Sequence, residues 1–281
     1  MNKLLHAGFR RYTRSILFWI AAALSVVIGV LLGQKMDRTT LDEVFIIEEF
    51  LIFAILISLS IGREYSDGGF RNKIIAGHTK GQIFWSEWIL GVSISLFLFV
   101  LCGIPSTIIG YGKYDPWTPD VLIKILIGFI FLNILSAVIC VFVSIIISKK
   151  AIAPIVNILL VLAFALSANY INVALKEPQY FYEYEFNEET GEFFENTDKV
   201  TANSRYVGGV MRECLEIAVD TFPAGQVYEY SDIFKKAMAH ADQEFSEEQE
   251  RALNTHPFYS IGAIIVLSTA GYWIFRKRDL K

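Results

Sequence analysis

Six apolar runs, each near the length of a bilayer-spanning helix, constrain this chain before any motif does. A hydrocarbon core about 30 Å thick is crossed by about 20 helical residues. Runs of that size read as spans over Ser15 to Gly33, Val44 to Gly62, Trp88 to Ile109, Val121 to Ser148, Ala151 to Val173 and Phe258 to Phe275. With 54% hydrophobic content and 22 Phe in 281 residues, the chain holds more apolar surface than one water-soluble core can hide. The expected fold class is an all-α polytopic membrane protein of six transmembrane helices, with a small mixed α/β ectodomain. The first run is too long for a secretory h-region and ends in Gly33-Gln34-Lys35 without a small-x-small cleavage pattern, so it reads as a span.

Basic residues set the expected orientation, because Lys and Arg are retained on the cytoplasmic side. Placing the N-terminus inside puts fourteen of them there, from Lys3 to Lys281. Only Lys35, Arg38 and Lys113 fall in short outer loops, with Lys124 at the mouth of the fourth span. Both termini are then cytoplasmic. The organisation becomes residues 1–14 as an interfacial helix, 15–173 as five spans with a cytoplasmic segment at 63–87, 174–257 as an extracellular domain, 258–275 as the last span, and 276–281 as a tail.

Charge separates the outer segment from the rest. Residues 174–257 carry 18 acidic and 7 basic side chains, net −11, whereas the remainder is +7. Such a split marks two environments; it reads either as an outside domain escaping the positive-inside bias or as an attractor for cationic substrate. Within the segment, Tyr180 to Phe186 alternates as a strand, Asn187 to Gly191 supplies turn residues and Glu192 to Phe194 returns. Helical spacing follows over Arg205 to Phe222 and Ser231 to Phe245, and Ser246 with Gln249 forms a capping box opening a further short helix. These elements are expected to rest partly on the outer membrane surface.

No catalytic motif is present: neither a Walker phosphate loop nor GxSxG nor HExxH occurs. Cys102, Cys140 and Cys214 make no disulfide framework or CxxC pattern. His6, His78, His240 and His256 lack zinc-ligand spacing, so no metal is expected. The chain is not expected to be an enzyme, and any driving energy must come from an ion gradient or a partner.

Inside the spans, Ala21, Ser25, Gly29 and Gly33 recur every four residues and make a close-packing seam. Asn133, Ser136, Cys140, Ser144 and Ser148 share one helical face. That stripe reads as a helix contact whose hydroxyls bond their own carbonyls, or as the lining of a substrate path. Glu48 and Glu49, at the outer end of the second span, are candidates for the mouth of a path or for interfacial carboxylates at a helix start. Asn157 is a weaker path candidate.

The segment after the second span carries the most information. Ser66 is expected to cap a short helix, with Phe70, Ile74 and Ile75 toward the membrane, Arg71, Asn72 and Lys73 toward the cytoplasm, and Gly77 as the stop. Thr79 and Gln82 form a capping box leading into the third span. Lys3 to Arg14 places Leu4, Leu5, Phe9 and Tyr12 opposite a basic face, as an interfacial helix.

Glu64 to Lys73, followed by Ile74-Ile75-Ala76-Gly77, resembles the E-x-x-x-G-x-x-R-N-K pattern after the second span of bacterial type-2 ABC transporter permeases. The six-span layout, the basic N-terminal helix and the terminal Phe275-Arg276-Lys277-Arg278 are also similar. The resemblance implies a transmembrane subunit of an ATP-driven exporter in the bacterial plasma membrane. It would work as a homodimer or beside a similar permease, bound to a separate ATP-binding cassette subunit that carries the ATP and magnesium. Glu64, Ser66, Asp67, Phe70, Arg71, Asn72 and Lys73 would form the coupling helix against that subunit, and Glu48, Glu49 and Asn157 would lie on the substrate path. Amphipathic or cationic peptides are the expected cargo, with drug or lipid export or self-immunity as alternatives on the same architecture. A non-transporting membrane sensor with a ligand-binding ectodomain is the rival of another class. No nucleic-acid partner is expected.

Overall fold

The computed structural model describes residues 1–35, 43–110, 119–147, 149–187, 192–239 and 246–278. Its elements are α1 (Asn2–Thr13), α2 (Ile16–Lys35), α3 (Glu43–Ser66), α4 (Gly69–Ile75), α5 (Lys80–Gly110), α6 (Pro119–Ile146), α7 (Ile152–Lys176), β1 (Tyr180–Asn187), β2 (Glu192–Ala202), α8 (Gly209–Thr221), α9 (Pro223–Ala239) and α10 (Glu247–Lys277). Among the described residues, five helices are long and apolar enough to cross a membrane: α2, α5, α6, α7 and α10. The expected multi-pass helical architecture stands at that level. Ile16, Trp19, Leu166 and Val266 are among the large apolar side chains turned outward from the bundle, as in a protein solvated by lipid.

Small residues determine how closely the helices approach. Ala21, Ser25, Gly29 and Gly33 are all buried on the side of α2 facing α5. A Cβ on Gly29 would sit 2.1 Å from the Cys102 carbonyl oxygen, so backbone meets backbone at this seam. Two members of the polar stripe of α6 make bonds of the helix-contact kind. Ser95 donates to Asn133 Oδ1 at 2.7 Å, and Ser144 donates to its own Cys140 carbonyl at 2.6 Å. Ser148, its last expected member, lies outside the described residues.

One end of the bundle gathers α1, α4, the starts of α5 and the ends of α3, α6 and α10. Here Arg278 donates to the Ile145 and Ile146 carbonyls at 2.8 and 2.6 Å, closing the open carbonyl end of α6. Lys80 donates to the Arg276 and Arg278 carbonyls in the same way. The helix α1 has a side packed on protein: Leu4, Gly8 and Tyr12 are buried, and Gly8 lies against Leu90 of α5.

The other end differs from expectation more. The hairpin forms, β1 pairing antiparallel with β2 through a register shift after Tyr182; the turn residues 188–191 lie outside the described residues. Asn203 fastens its base, donating to Glu177 Oε2 at 2.8 Å and to the Pro178 carbonyl at 2.9 Å. The helices α8 and α9 pack against the long helices as well as against each other. They form a helical hairpin inserted among α3, α6, α7 and α10. Its tip reaches mid-bundle: the Phe222 ring lies 5.5 Å from Phe164, halfway along α7. Val227, Tyr230 and Ile233 of α9 are buried with Ile125, Leu132, Ala252 and Leu253. Glycine makes room, because a Cβ on Gly128 would meet the Tyr230 hydroxyl at 2.3 Å.

The helix opened by Ser246 is not short. The capping box forms, with Ser246 and Gln249 bonding each other's backbone N–H. The helix then continues through Pro257 to Lys277, 31 residues and about 46 Å. Pro257 costs one internal hydrogen bond without ending the helix, so the expected boundary between ectodomain and last span at 257/258 is not a structural break.

Candidate functional site

Four ionisable side chains from four elements close a ring beneath the bundle. Arg11 of α1 pairs with Glu64 near the end of α3, and through its other terminal nitrogen with Glu87 Oε2 of α5 at 3.1 Å. Lys73 of α4 pairs with Glu64 Oε2 at 2.7 Å and with Glu87 Oε1 at 2.8 Å. Cations and anions alternate around the ring, so each charge has two opposite neighbours and the net charge is zero. Glu87 is 1% exposed and Glu64 12%, depths at which an unpaired carboxylate would be costly. Burial works against the Arg11 charge, but Glu87, Tyr12 and Glu64 outweigh it and hold the guanidinium above its ordinary range.

The backbone brings these groups together for local reasons. Gly68, at φ 69°, reverses the chain after α3, a conformation that costs glycine little. Gly69 leaves room for the Glu64 carboxylate, which a Cβ would meet at 2.5 Å. Gly77, at φ 89°, ends the turn after α4, and the Thr79/Gln82 box then starts α5 as expected. Phe70 anchors α4 inward, 4.6 Å from the Tyr65 ring and 5.7 Å from Phe275 of α10. Tyr65 in turn donates to the Ile145 carbonyl at 2.7 Å. A seven-residue helix is thereby joined to α1, α3, α5, α6 and α10.

Several expected site residues take other positions. Ser66 does not cap α4. It is the last residue of α3, its hydroxyl donating to the Arg63 carbonyl and to Asp67 Oδ1, and Gly68 is the residue preceding α4. Lys73 does not point away from the bundle but into the ring, and Phe70 is buried in protein. Asp67, Arg71 and Asn72 are exposed, as are Ser66 and Ile75. The outward face of α4 is therefore a mixed one, with an anion, a cation, an amide and an apolar side chain.

Glu49 is buried while Glu48 is exposed. Ser25 of α2 donates to Glu49 Oε1 at 3.0 Å, and among the described residues Oε2 has no hydrogen-bond partner. Asn157 is fully buried at a three-helix junction, donating to Ser58 of α3 at 2.6 Å, to Ser144 of α6 at 2.9 Å and to the Cys140 carbonyl at 3.2 Å. The two are not brought together in one site.

Arg11 and Glu87 are not marked by any motif in the sequence: Arg11 is one of several basic residues in the N-terminal helix, and Glu87 immediately precedes the apolar run from Trp88. A usable signal existed: Ile83, Glu87, Leu90, Ile94 and Leu98 follow helical spacing, and all are buried. A carboxylate in an apolar stripe must have cationic partners.

At the far end, a cavity of about 250 Å³ opens between α7, α8, α9 and α10. Lys176, Arg212, Glu216, Asp220, Glu229 and Arg251 line it, with the fully buried His256 behind. The chain matches no protein-family model and no curated protein.

Proposed function

We propose that this chain is the transmembrane subunit of an ATP-driven exporter of the type-2 ABC permease kind. In this reading α3 is a sixth span beside the five, the end bearing α1 and α4 is cytoplasmic, and the hairpin β1–β2 with α8 and α9 belongs to the outside of a bacterial plasma membrane. The reading rests on one observation. The inner face of α4 is bound through Lys73 and Phe70 to α3, α5 and α10, and Arg11 of α1 shares the carboxylates of Lys73, while Asp67, Arg71 and Asn72 are exposed. A short helix so arranged can take a push from an ATP-binding subunit and deliver it to several spans at once. ATP and magnesium would remain on that subunit. The net −11 of residues 174–257 favours an amphipathic or cationic peptide as cargo, and a second copy would complete the conduit.

The test is to co-express the chain with its ATP-binding partner and compare wild type with Arg71→Ala and Asp67→Ala. Both positions are exposed, so the variants should insert and melt as wild type does. They should lose co-purification of the partner, or ATP hydrolysis coupled to peptide transport into inverted vesicles. Normal coupling in both variants refutes the reading. A ligand-binding sensor is the second reading, favoured by the 250 Å³ cavity. It is preferred if the chain captures a kinase or regulator and no ATP-hydrolysing subunit.

A further inference from the structure

Three helices bring a histidine and two carboxylates to one point at the edge of the far cavity. His256 Nε2 of α10 lies 2.7 Å from Glu229 Oε2 of α9 and 3.3 Å from Asp220 Oδ1 of α8. All three ligand atoms are within 4.8 Å of one another. We propose that Asp220, Glu229 and His256 form a binding site for a divalent transition-metal ion of the zinc class, which would staple the α8–α9 hairpin to α10. This inference stands independently of the transport reading.

Charge pairing around the cavity leaves one group over. Arg251 pairs with Asp220 Oδ2 at 3.4 Å, Arg212 with Glu216 at 3.0 Å and Lys176 with Asp232. Among the described residues, Glu229 pairs with the imidazole and with no cationic side chain of this set. Its buried Oε2 lies 2.7 Å from Nε2 but makes no hydrogen bond with the described residues, the Nε2 hydrogen-bond geometry being directed at Asp220. Two carboxylates thus converge on one ring nitrogen that has one position to offer. A cation at the centre would satisfy all three.

The dimensions suit zinc. Metal–ligand bonds of about 2.0–2.2 Å in a tetrahedral site set neighbouring ligand atoms roughly 3.3–3.5 Å apart. The Nε2 to Oδ1 distance of 3.3 Å already matches, and the 2.7 Å distance to Glu229 needs less than about 1 Å of spreading. Glu229 is one-third exposed and can move, whereas His256 is fully enclosed. Among the described residues the His256 Nδ1 has no hydrogen-bond partner, and the ring packs edge-on to Tyr230 at 5.4 Å. The cavity provides an entry path and room for water in the fourth position. An imidazole ligand selects zinc-class ions over magnesium or calcium, which prefer all-oxygen sites.

The experiment uses the tag-free full chain, purified in detergent, stripped with chelator and titrated with Zn²⁺ against a chromophoric competitor. One Zn²⁺ per chain is expected, with a rise in melting temperature, and Co²⁺ should give d–d absorption bands of a low-coordinate nitrogen–oxygen site. His256→Gln and Glu229→Gln should each weaken Zn²⁺ by at least about tenfold and abolish the melting shift. If His256→Gln aggregates, Glu229→Gln decides alone. Substoichiometric Zn²⁺, an affinity unchanged in Glu229→Gln, absence of the cobalt bands, or equal competition by Ca²⁺ would each overturn the assignment.

Discussion

Replacing Glu87 by Gln keeps the size of the side chain and removes one corner of the four-membered charge ring. At an effective dielectric of about 20, separations of 3.1 Å to Arg11 and 2.8 Å to Lys73 correspond to roughly 5 and 6 kcal/mol of attraction. Most of this is offset by the desolvation of the ions, so it is not the net loss. What remains is the cost of leaving cations short of a partner, about 3–5 kcal/mol when a buried pair is broken from one side. Arg11 and Lys73 keep Glu64 and are 27% and 19% exposed, so water screens part of the penalty and about 3 kcal/mol is expected. For a chain of this size that lowers the melting temperature by roughly 6–12 °C. The sharper measurement is a cycle with Lys73→Met. The double variant leaves only the neutral Arg11–Glu64 pair and should melt no lower than Glu87→Gln alone, a coupling of about 1–2 kcal/mol. Melting of the purified chain at one fixed scan rate reads both quantities. A Glu87→Gln variant within about 2 °C of wild type, or strictly additive losses, refutes the claim that the ring acts as a unit.

Gly29→Val should be among the most damaging apolar changes in the chain, because its Cβ would lie 2.1 Å from a backbone oxygen that cannot rotate away. About 3 kcal/mol or loss of folded yield is expected, whereas Gly103→Ala, with nothing within 4 Å, should be neutral in the same melting assay. Asn157→Leu should cost about 1–2 kcal/mol by removing the amide that donates to Ser58, Ser144 and the Cys140 carbonyl, and stability equal to wild type would show the junction to be idle. Gly128→Val should dislodge Tyr230 and loosen α9. In a Cys214→Ser background, a cysteine placed at Ala224, 8% exposed in the closed hairpin, should then label with maleimide faster than in the parent; equal rates refute the insertion of α9.

Sequence resolved those parts of the fold whose causes are local. Small residues every fourth position along α2 can only be a close contact, and Gly29 meets the backbone of α5 as that spacing requires. The boxes at Thr79/Gln82 and Ser246/Gln249 satisfy helix-start N–H groups with residues three apart, so they are readable from one stretch of chain. The same holds for the glycine stop at Gly77 and for the alternation that makes β1. The place of α9 has no local cause. An amphipathic helix fits a membrane surface and a groove equally well, and the choice is made by Gly128, about a hundred residues away. Pro257 misled for a related reason: a proline marks a helix end in the sequence, yet α10 tolerates one missing hydrogen bond because its packing on α6 continues on both sides.

The same distinction runs through the two charged sites. Glu64 to Lys73 is legible as a segment because turn glycines and helix spacing lie within it, but the inward turn of Lys73 depends on Glu87, and Glu87 on Arg11, four elements away along the chain. Pairing of this kind is specified by depth: once α5 buries position 87 in its apolar stripe, cations must come to it from whatever element can reach. Asp220, Glu229 and His256 follow the same logic from α8, α9 and α10. Ligand spacing rules detect sites built on one hairpin or helix and give no signal for a site assembled from three. A buried ionisable residue in an otherwise apolar face is the feature common to both clusters, and it identifies one member of each, Glu87 and His256, without saying which partners complete it.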